Sequence, residues 1–257
     1  MNILVLGDVV SQCGCEKVRA SIPGFKRLKN IDLCIANGEN SAKGNGITPQ
    51  SADFLFSSGV DFITTGNHAF RRAEMYDCFD SSDFVIRPYN YPFGAPGKGV
   101  GTIDMGRVQV GVLNLSGTML MESLENPFYA ADRALEELKN CKIKLVDFHA
   151  ETTSEKKALG FYLDGRVSAV FGTHTHVQTS DECILEKKTG YITDLGMCGA
   201  IDSVLGVKKE VIIRKFKTNL PAFFETPENL PCEINGCIFC IDEKSGSCTE
   251  VERVRFQ

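Results

Sequence analysis

All four histidines of the chain fall in three short motifs, Gly66-Asn67-His68, Phe148-His149-Ala150-Glu151 and Gly172-Thr173-His174-Thr175-His176. Each motif follows a short run rich in β-forming residues. Imidazole is the commonest metal ligand and the side chain that titrates nearest neutral pH, so this placement points to metal binding or proton transfer. Acidic and amide groups occupy equivalent positions elsewhere: Asp8 closes the run Ile3-Leu4-Val5-Leu6-Gly7, and Asn37-Gly38-Glu39-Asn40-Ser41 follows Leu33-Cys34-Ile35-Ala36. Taken singly these residues have plainer readings: Asp8 as a cap or turn residue, Asn40 and Asn67 as turn formers, His174 and His176 as a solvated edge pair. Taken together, Asp8, Glu39, Asn40, Asn67, His149, His174 and His176 are a set of oxygen and nitrogen donors from five strand ends. In open α/β sheets ligands bind outside the carboxyl ends of the strands, so these groups can converge on one crevice.

Carboxylates and imidazoles without thiolates suit iron, manganese or zinc better than calcium or magnesium. The donors exceed what one tetrahedral zinc needs. Two metals sharing a carboxylate would use them all, and such a pair clamps the attacking and leaving oxygens of a phosphoryl displacement.

The elements that must position this set follow a regular grammar. Ile3 to Leu6, Leu33 to Ala36 and Phe62 to Thr65 read as strands covered on both faces. Between them lie helical segments Glu16 to Lys29 and Pro49 to Ser58, the latter with Thr48 as cap and Pro49 in its first turn. Gly97 to Leu115 reads as a hairpin about Gly106-Arg107. Helix Pro127 to Asn140, strand Ile143 to Phe148, helix Ser154 to Leu163 and strand Ala169 to Phe171 follow. Cys183 to Glu186 and Tyr191 to Asp194 flank a Lys188-Thr189-Gly190 turn, a further segment spans Glu210 to Phe216, and a hairpin near residues 232–256 closes the chain. With no repeat or clear linker, one domain over residues 1–257 is the economical arrangement: an α/β sandwich of two sheets flanked by helices.

At 257 residues with 43% hydrophobic content the chain can bury a full core. A net charge of −5 argues against a duplex nucleic-acid surface, which needs a clustered basic face, yet leaves room for a small anion if metal supplies the positive charge. No apolar window is long enough to span a membrane, and the start reads as a strand rather than a signal peptide, so a cytoplasmic location is expected. The 11 cysteines are odd in number and several lie in apolar runs, which suits reduced, buried thiols. Cys232, Cys237, Cys240 and Cys248 imitate cluster spacing, but on a strand Cys237 and Cys240 would point to opposite faces, which favours the hairpin over a metal. Gly94-Ala95-Pro96-Gly97-Lys98-Gly99 lacks the first glycine and the Ser/Thr of a phosphate loop, and Gly196-Met197-Cys198-Gly199-Ala200 lacks the second glycine of a nucleophile elbow.

Asp8, Gly38-Glu39-Asn40, Gly66-Asn67-His68, Phe148-His149-Ala150-Glu151 and Gly172-Thr173-His174-Thr175-His176-Val177-Gln178-Thr179, with Thr193-Asp194-Leu195-Gly196-Met197 and Asp202-Ser203-Val204-Leu205-Gly206, resemble the calcineurin-like metallophosphoesterases, in particular the YmdB-like branch. The resemblance spans Asn2 to about Gly206. It implies a four-layer αββα fold with two mixed β-sheets and hydrolysis of 2′,3′-cyclic nucleotides. It implies two divalent or mixed-valence transition metals, iron first, with manganese or zinc as alternatives. One metal would sit at Asp8, Glu39 and His176 and the other at Glu39, Asn67, His149 and His174, with Glu39 bridging. The wider superfamily has a histidine where this chain has Val10, which makes Asn40 a replacement ligand. The branch's usual tryptophan and aspartate after His68 give way to Ala69-Phe70-Arg71, a change bearing on substrate range.

The chemistry expected of such a site is in-line attack on phosphorus by a metal-bridging hydroxide, with His68, the histidine not needed as a ligand, protonating the leaving ribose oxygen. The implied partner is a small nucleotide phosphodiester; assembly with copies of the same chain stays open. Two other readings keep the site: a broader phosphodiesterase or phosphomonoesterase, and a metal-dependent nucleotide sensor with incidental turnover.

Overall fold

The computed structural model describes residues 1–227 and 231–257. β1 (Asn2–Val9), β2 (Leu33–Asn37) and β3 (Phe62–Thr64) run parallel, joined by α1 (Ser11–Lys29) and α2 (Pro49–Ser57). The Thr48 hydroxyl accepts from the Ser51 N–H and Pro49 opens α2, as its sequence requires. After a 3-10 turn, Ala73–Met75, comes the short α3 (Tyr76–Ser81). β4 (Val100–Asp104) and β5 (Gln109–Ser116) form the expected hairpin. α4 (Pro127–Glu137), β6 (Ile143–His149), α5 (Thr153–Leu163) and β7 (Ala169–Thr173) continue the alternation, and β5, β6 and β7 pair in parallel. β8 (Cys183–Ile184) and β9 (Gly190–Ile192) complete a second sheet of order β4-β5-β6-β7-β9-β8. β10 (Met197–Ala200), α6 (Lys209–Thr218), β11 (Cys232–Ile241) and β12 (Cys248–Phe256) follow, and the first sheet has the order β12-β11-β10-β1-β2-β3.

Three apolar clusters show the layering. On β1, Ile3 and Val5 pack between the sheets with Val112, Leu145, Phe171 and Phe239, while Leu4 and Leu6 face the first helical layer with Val18, Ile22 and Leu55. A third cluster joins Leu113, Leu115, Val146 and Phe148 to Ala131, Ala134 and Leu159 of α4 and α5. The result is helix, sheet, sheet, helix: the expected αββα sandwich of two mixed sheets. Because both sheets are covered on both faces, their central strands are near-continuous apolar runs.

Three elements depart from the sequence reading. α1 begins at Ser11, five residues earlier than expected, because its first turn docks on the sheet: Val10 donates to the Cys198 carbonyl and Ser11 to that of Asn40. A Cβ on Gly14 would come within 2.3 Å of the Cys198 carbonyl oxygen, so a helix-weakening glycine is required where α1 crosses β10. β10 itself, only four residues, pairs parallel to β1 through Asp8 with Met197 and Val9 with Cys198. The 210–216 segment is helical, within α6. None of the eleven cysteines forms a disulfide. Cys237 lies in the inter-sheet cluster and Cys240 against the helical one, so the closing hairpin puts them on opposite faces, as expected.

Candidate metal centre

The strands end where the two sheets meet, and the candidate ligands follow directly. Asp8 lies at the end of β1, Glu39 and Asn40 beyond β2, Asn67 and His68 beyond β3, His149 at the end of β6, and His174 and His176 beyond β7. A bulge between Leu6 and Asp8 breaks the alternation that would otherwise carry Asp8 to the Leu4 and Leu6 face, and such a bulge re-aims a side chain. Asp8 accordingly accepts the His174 backbone N–H at 3.0 Å, and its Oδ1 lies 3.6 Å from His176 Nε2.

All seven candidate ligands and His68 are brought together. Glu39 Oε1 is 3.1 Å from His149 Nε2, which is 3.0 Å from Asn67 Oδ1 and 3.0 Å from His174 Nδ1. One donor atom each from Glu39, His149 and His174 lie within 4.8 Å of one another. Asn40 Nδ2 is 3.3 Å from both Glu39 Oε1 and His176 Nε2, while its Oδ1 is 2.9 Å from His68 Nδ1. The His68 backbone N–H donates to Glu39 Oε2 at 2.9 Å.

Each candidate ligand histidine turns one nitrogen to this cluster and gives the other to a partner, the arrangement that fixes tautomer and ring orientation in metal sites. His176 Nδ1 donates to the Leu205 carbonyl at 3.1 Å, and His174 Nε2 sits 3.0 Å from Glu151. His149 Nδ1 meets Thr173 Oγ1 at 2.9 Å, and that hydroxyl donates to Asp147 at 2.7 Å. His174 and His176 have φ of 98° and 63°, a left-handed conformation that non-glycine residues adopt at a cost and that concentrates at functional sites.

What holds these two residues was not read from the sequence. The side chain of Asp194, one residue of a motif otherwise noted only for its resemblance, accepts from the Thr175 N–H at 3.2 Å, the Thr175 hydroxyl at 2.8 Å and the Gly196 N–H at 2.8 Å. Lys156 Nζ pairs with it at 2.6 Å, both side chains 1% exposed. The available signal was a lysine on the apolar stripe of α5, in register with Leu159 and Leu163, and a second was Asp147 inside the apolar run Leu145 to Phe148.

The electrostatics suit cations. Burial opposes charge on Asp8, but His176 and His149 and the His174 N–H outweigh it and hold the carboxyl far below the usual range. Burial also opposes charge on Glu39, and His149 again brings its carboxyl below the ordinary value. Burial would lower His149, but Glu39 and Asp8 push it up to about 9. His176 is raised by Asp8 against burial; His174 is lowered by burial and by His149. Burial lowers His68, with Glu39 opposing and Arg71 assisting. Asp8 Oδ1 is buried and, among the described residues, without a hydrogen-bond partner. An orphaned carboxylate oxygen among inward-facing imidazoles fits a bound transition metal.

Close packing makes the site sensitive from outside the ligand set. A Cβ on Gly66 would lie 2.2 Å from His149 Cδ2 and 2.3 Å from Nε2. Gly66→Ala must therefore displace the His149 ring, and we expect metal affinity, measured by chelator competition, to fall by about 100-fold. Affinity equal to wild type would mean that His149 is not required where it stands. The Ala69-Phe70-Arg71 departure is largely structural: Ala69 is fully buried, and Phe70 packs edge-on against Tyr76, Phe79 and Tyr91. Arg71 alone adds charge near His68.

Residues 4–254 match the family model described as YmdB-like protein. The chain is 43% identical over 255 residues to a Bacillus subtilis protein named 2′,3′-cyclic-nucleotide 2′-phosphodiesterase, covering 99% of this chain and 96% of that one. Two solved structures superpose with a TM-score of 0.94: a hypothetical protein from Thermus thermophilus, 38% identical with 100% and 99% of the chains covered, and a Mycoplasma pneumoniae protein titled a novel phosphatase, 32% identical with 100% and 93% covered. Among the described residues no helix is long and apolar enough to cross a membrane. The match along almost the whole chain places it in the YmdB-like protein family, and it is a hydrolase of the metallophosphoesterase type.

Proposed function

We propose that the chain hydrolyses 2′,3′-cyclic nucleotides at a dinuclear centre, opening the ester bond to the 2′ oxygen. The observation that carries the reading is the convergence of Asp8, Glu39, Asn67, His149, His174 and His176 around a buried, unpartnered carboxylate oxygen, in a chain 43% identical to a protein named for that reaction. Asp8, Glu39 and His176 would hold one metal and Glu39, Asn67, His149 and His174 the other, with Glu39 shared; the donor set suits iron, manganese or zinc, and the family resemblance puts iron first. Bound there, the cations would lower the pKa of a coordinated water and offset charge on the phosphate.

Asn40 lies between the ligand cluster and His68. As placed, its oxygen accepts from His68 Nδ1–H. With the amide turned over, its oxygen faces Glu39 and His176 as a ligand and its NH₂ donates to His68 Nδ1, leaving the imidazole proton on Nε2, where a proton donor needs it. His68 is then the residue that protonates the departing ribose oxygen.

Turnover of adenosine 2′,3′-cyclic phosphate, adenosine 3′,5′-cyclic phosphate and bis(p-nitrophenyl) phosphate, alongside metal analysis, tests this. We expect two metals per chain and preference for the 2′,3′-cyclic substrate. In His68→Ala both metals stay, kcat on the nucleotide falls by about 10² to 10³, and the deficit shrinks on the aryl diester, whose leaving group needs no proton. A metal-loaded wild type that binds the nucleotide without turning it over would replace the enzyme reading with the sensor one.

A further inference from the structure

The ligand cluster forms only one wall of its cleft, whose volume is about 430 Å³. Its lining also includes a run of apolar side chains: Val204, Leu205 and Val207 leading into α6, Ile212 and Phe216 on α6, and Phe224 on the segment that returns from it. Ile212 and Phe216 are four residues apart and share a helix face; Ile212 is buried, but Phe216 is 80% exposed and Phe224 54%. Two such rings gain little from the fold. The returning segment is nevertheless fixed: Lys208 bonds Glu225 through its backbone N–H at 2.8 Å and its ammonium at 2.7 Å, and Lys215 Nζ lies 4.6 Å from the Phe224 ring centroid.

The cleft thus has an anion-handling side and an aromatic side, with a volume in the range of small-molecule sites. We propose that Phe216 and Phe224 form the subsite for the substrate's nucleobase, and so determine specificity, while its phosphate occupies the side bearing Glu39, His68, His174 and His176. This inference rests on the phosphodiester reading of the site. A nucleoside phosphate has the same two-part chemistry, a charged ester and a flat π-face. Stacking tolerates any base but rewards ring area, so purines are preferred to pyrimidines.

The test compares adenosine 2′,3′-cyclic phosphate with glycerol 1,2-cyclic phosphate, which presents the same five-membered cyclic diester without a base. In Phe216→Ala/Phe224→Ala we expect KM for the nucleotide to rise about tenfold or more, kcat to stay within about twofold, and glycerol 1,2-cyclic phosphate kinetics to stay at wild type. The Tyr/Tyr variant keeps the nucleotide KM and serves as the folding control. An unchanged nucleotide KM in the alanine double variant, or an equal loss on both substrates, overturns the subsite. If wild type turns over neither compound, the reaction assigned above is wrong. The subsite is then judged by equilibrium dialysis of labelled adenosine: binding lost in the double variant supports it, and absent or equal binding overturns it.

Discussion

Glu39→Gln is expected to lower the proposed turnover of a 2′,3′-cyclic nucleotide by about three orders of magnitude and to take bound metal from the proposed two ions per chain to one or none. The substitution keeps size and shape in a site where Glu39 is 1% exposed, so the effect is electrical rather than steric. Both carboxylate oxygens are engaged. Oε1 lies against His149 Nε2 and Asn40 Nδ2, and Oε2 accepts the His68 N–H. A glutamine can keep that last bond with its amide oxygen, which turns its NH₂ toward His149 where a shared anion is required. The variant also removes the main influence that raises His149, so a metal-free His149 titrates lower than in wild type. Metal analysis by mass spectrometry and steady-state kinetics check this. Two metals with full activity would remove Glu39 from the bridging role.

Lys156→Met is expected to cost about 3–5 kcal/mol, because it leaves the Asp194 carboxylate buried without its counter-charge. For a chain of this size the unfolding midpoint drops by about 10 °C. The loss does not stay local. Asp194 is what grips Thr175, the residue between the two left-handed histidines, so an unbalanced Asp194 also loosens His174 and His176. We expect weaker metal binding together with the lower midpoint. Lys156→Met/Asp194→Asn removes the stranded charge and recovers part of the stability: the amide oxygen can still accept from Thr175, but its NH₂ then faces the Gly196 N–H that the second carboxylate oxygen accepted. Calorimetry of both variants, metal-loaded and metal-free, separates these effects. A single variant melting within about 2 °C of wild type would show that the ion pair does not hold this loop.

The candidate ligands stood out in the sequence because histidine is scarce in this chain and is confined to strand ends. The layered architecture was legible because its central strands are apolar on both faces. What stayed hidden depended on contacts between distant segments. β10 has two pairing positions on β1 and no β-branched residue, so only its place between β1 and β11 makes it a strand. The start of α1 was masked by Gly14, which local propensity counts against a helix and close packing requires. Lys156 was hidden because its partner lies 38 residues away. Asn40 stood out as a candidate ligand, but its bond to His68 crosses from one strand end to another, and neither motif announces it.

The pairing of β1 with β11 has a consequence for how the chain is made. Met1 and Ile241 hydrogen-bond across 240 positions, and β1 pairs antiparallel with β11 from Asn2 with Cys240 to Leu6 with Gly236. Contacts of such long sequence separation form late and slowly. During synthesis, β1, β2 and β3 must therefore wait, one edge of β1 unsatisfied, until β11 has left the ribosome. That interval is when an apolar strand edge invites wrong partners. Asp8 stands at the far end of the same strand, paired with Met197 of the late-made β10, so the first of the candidate ligands to be translated is among the last to be set.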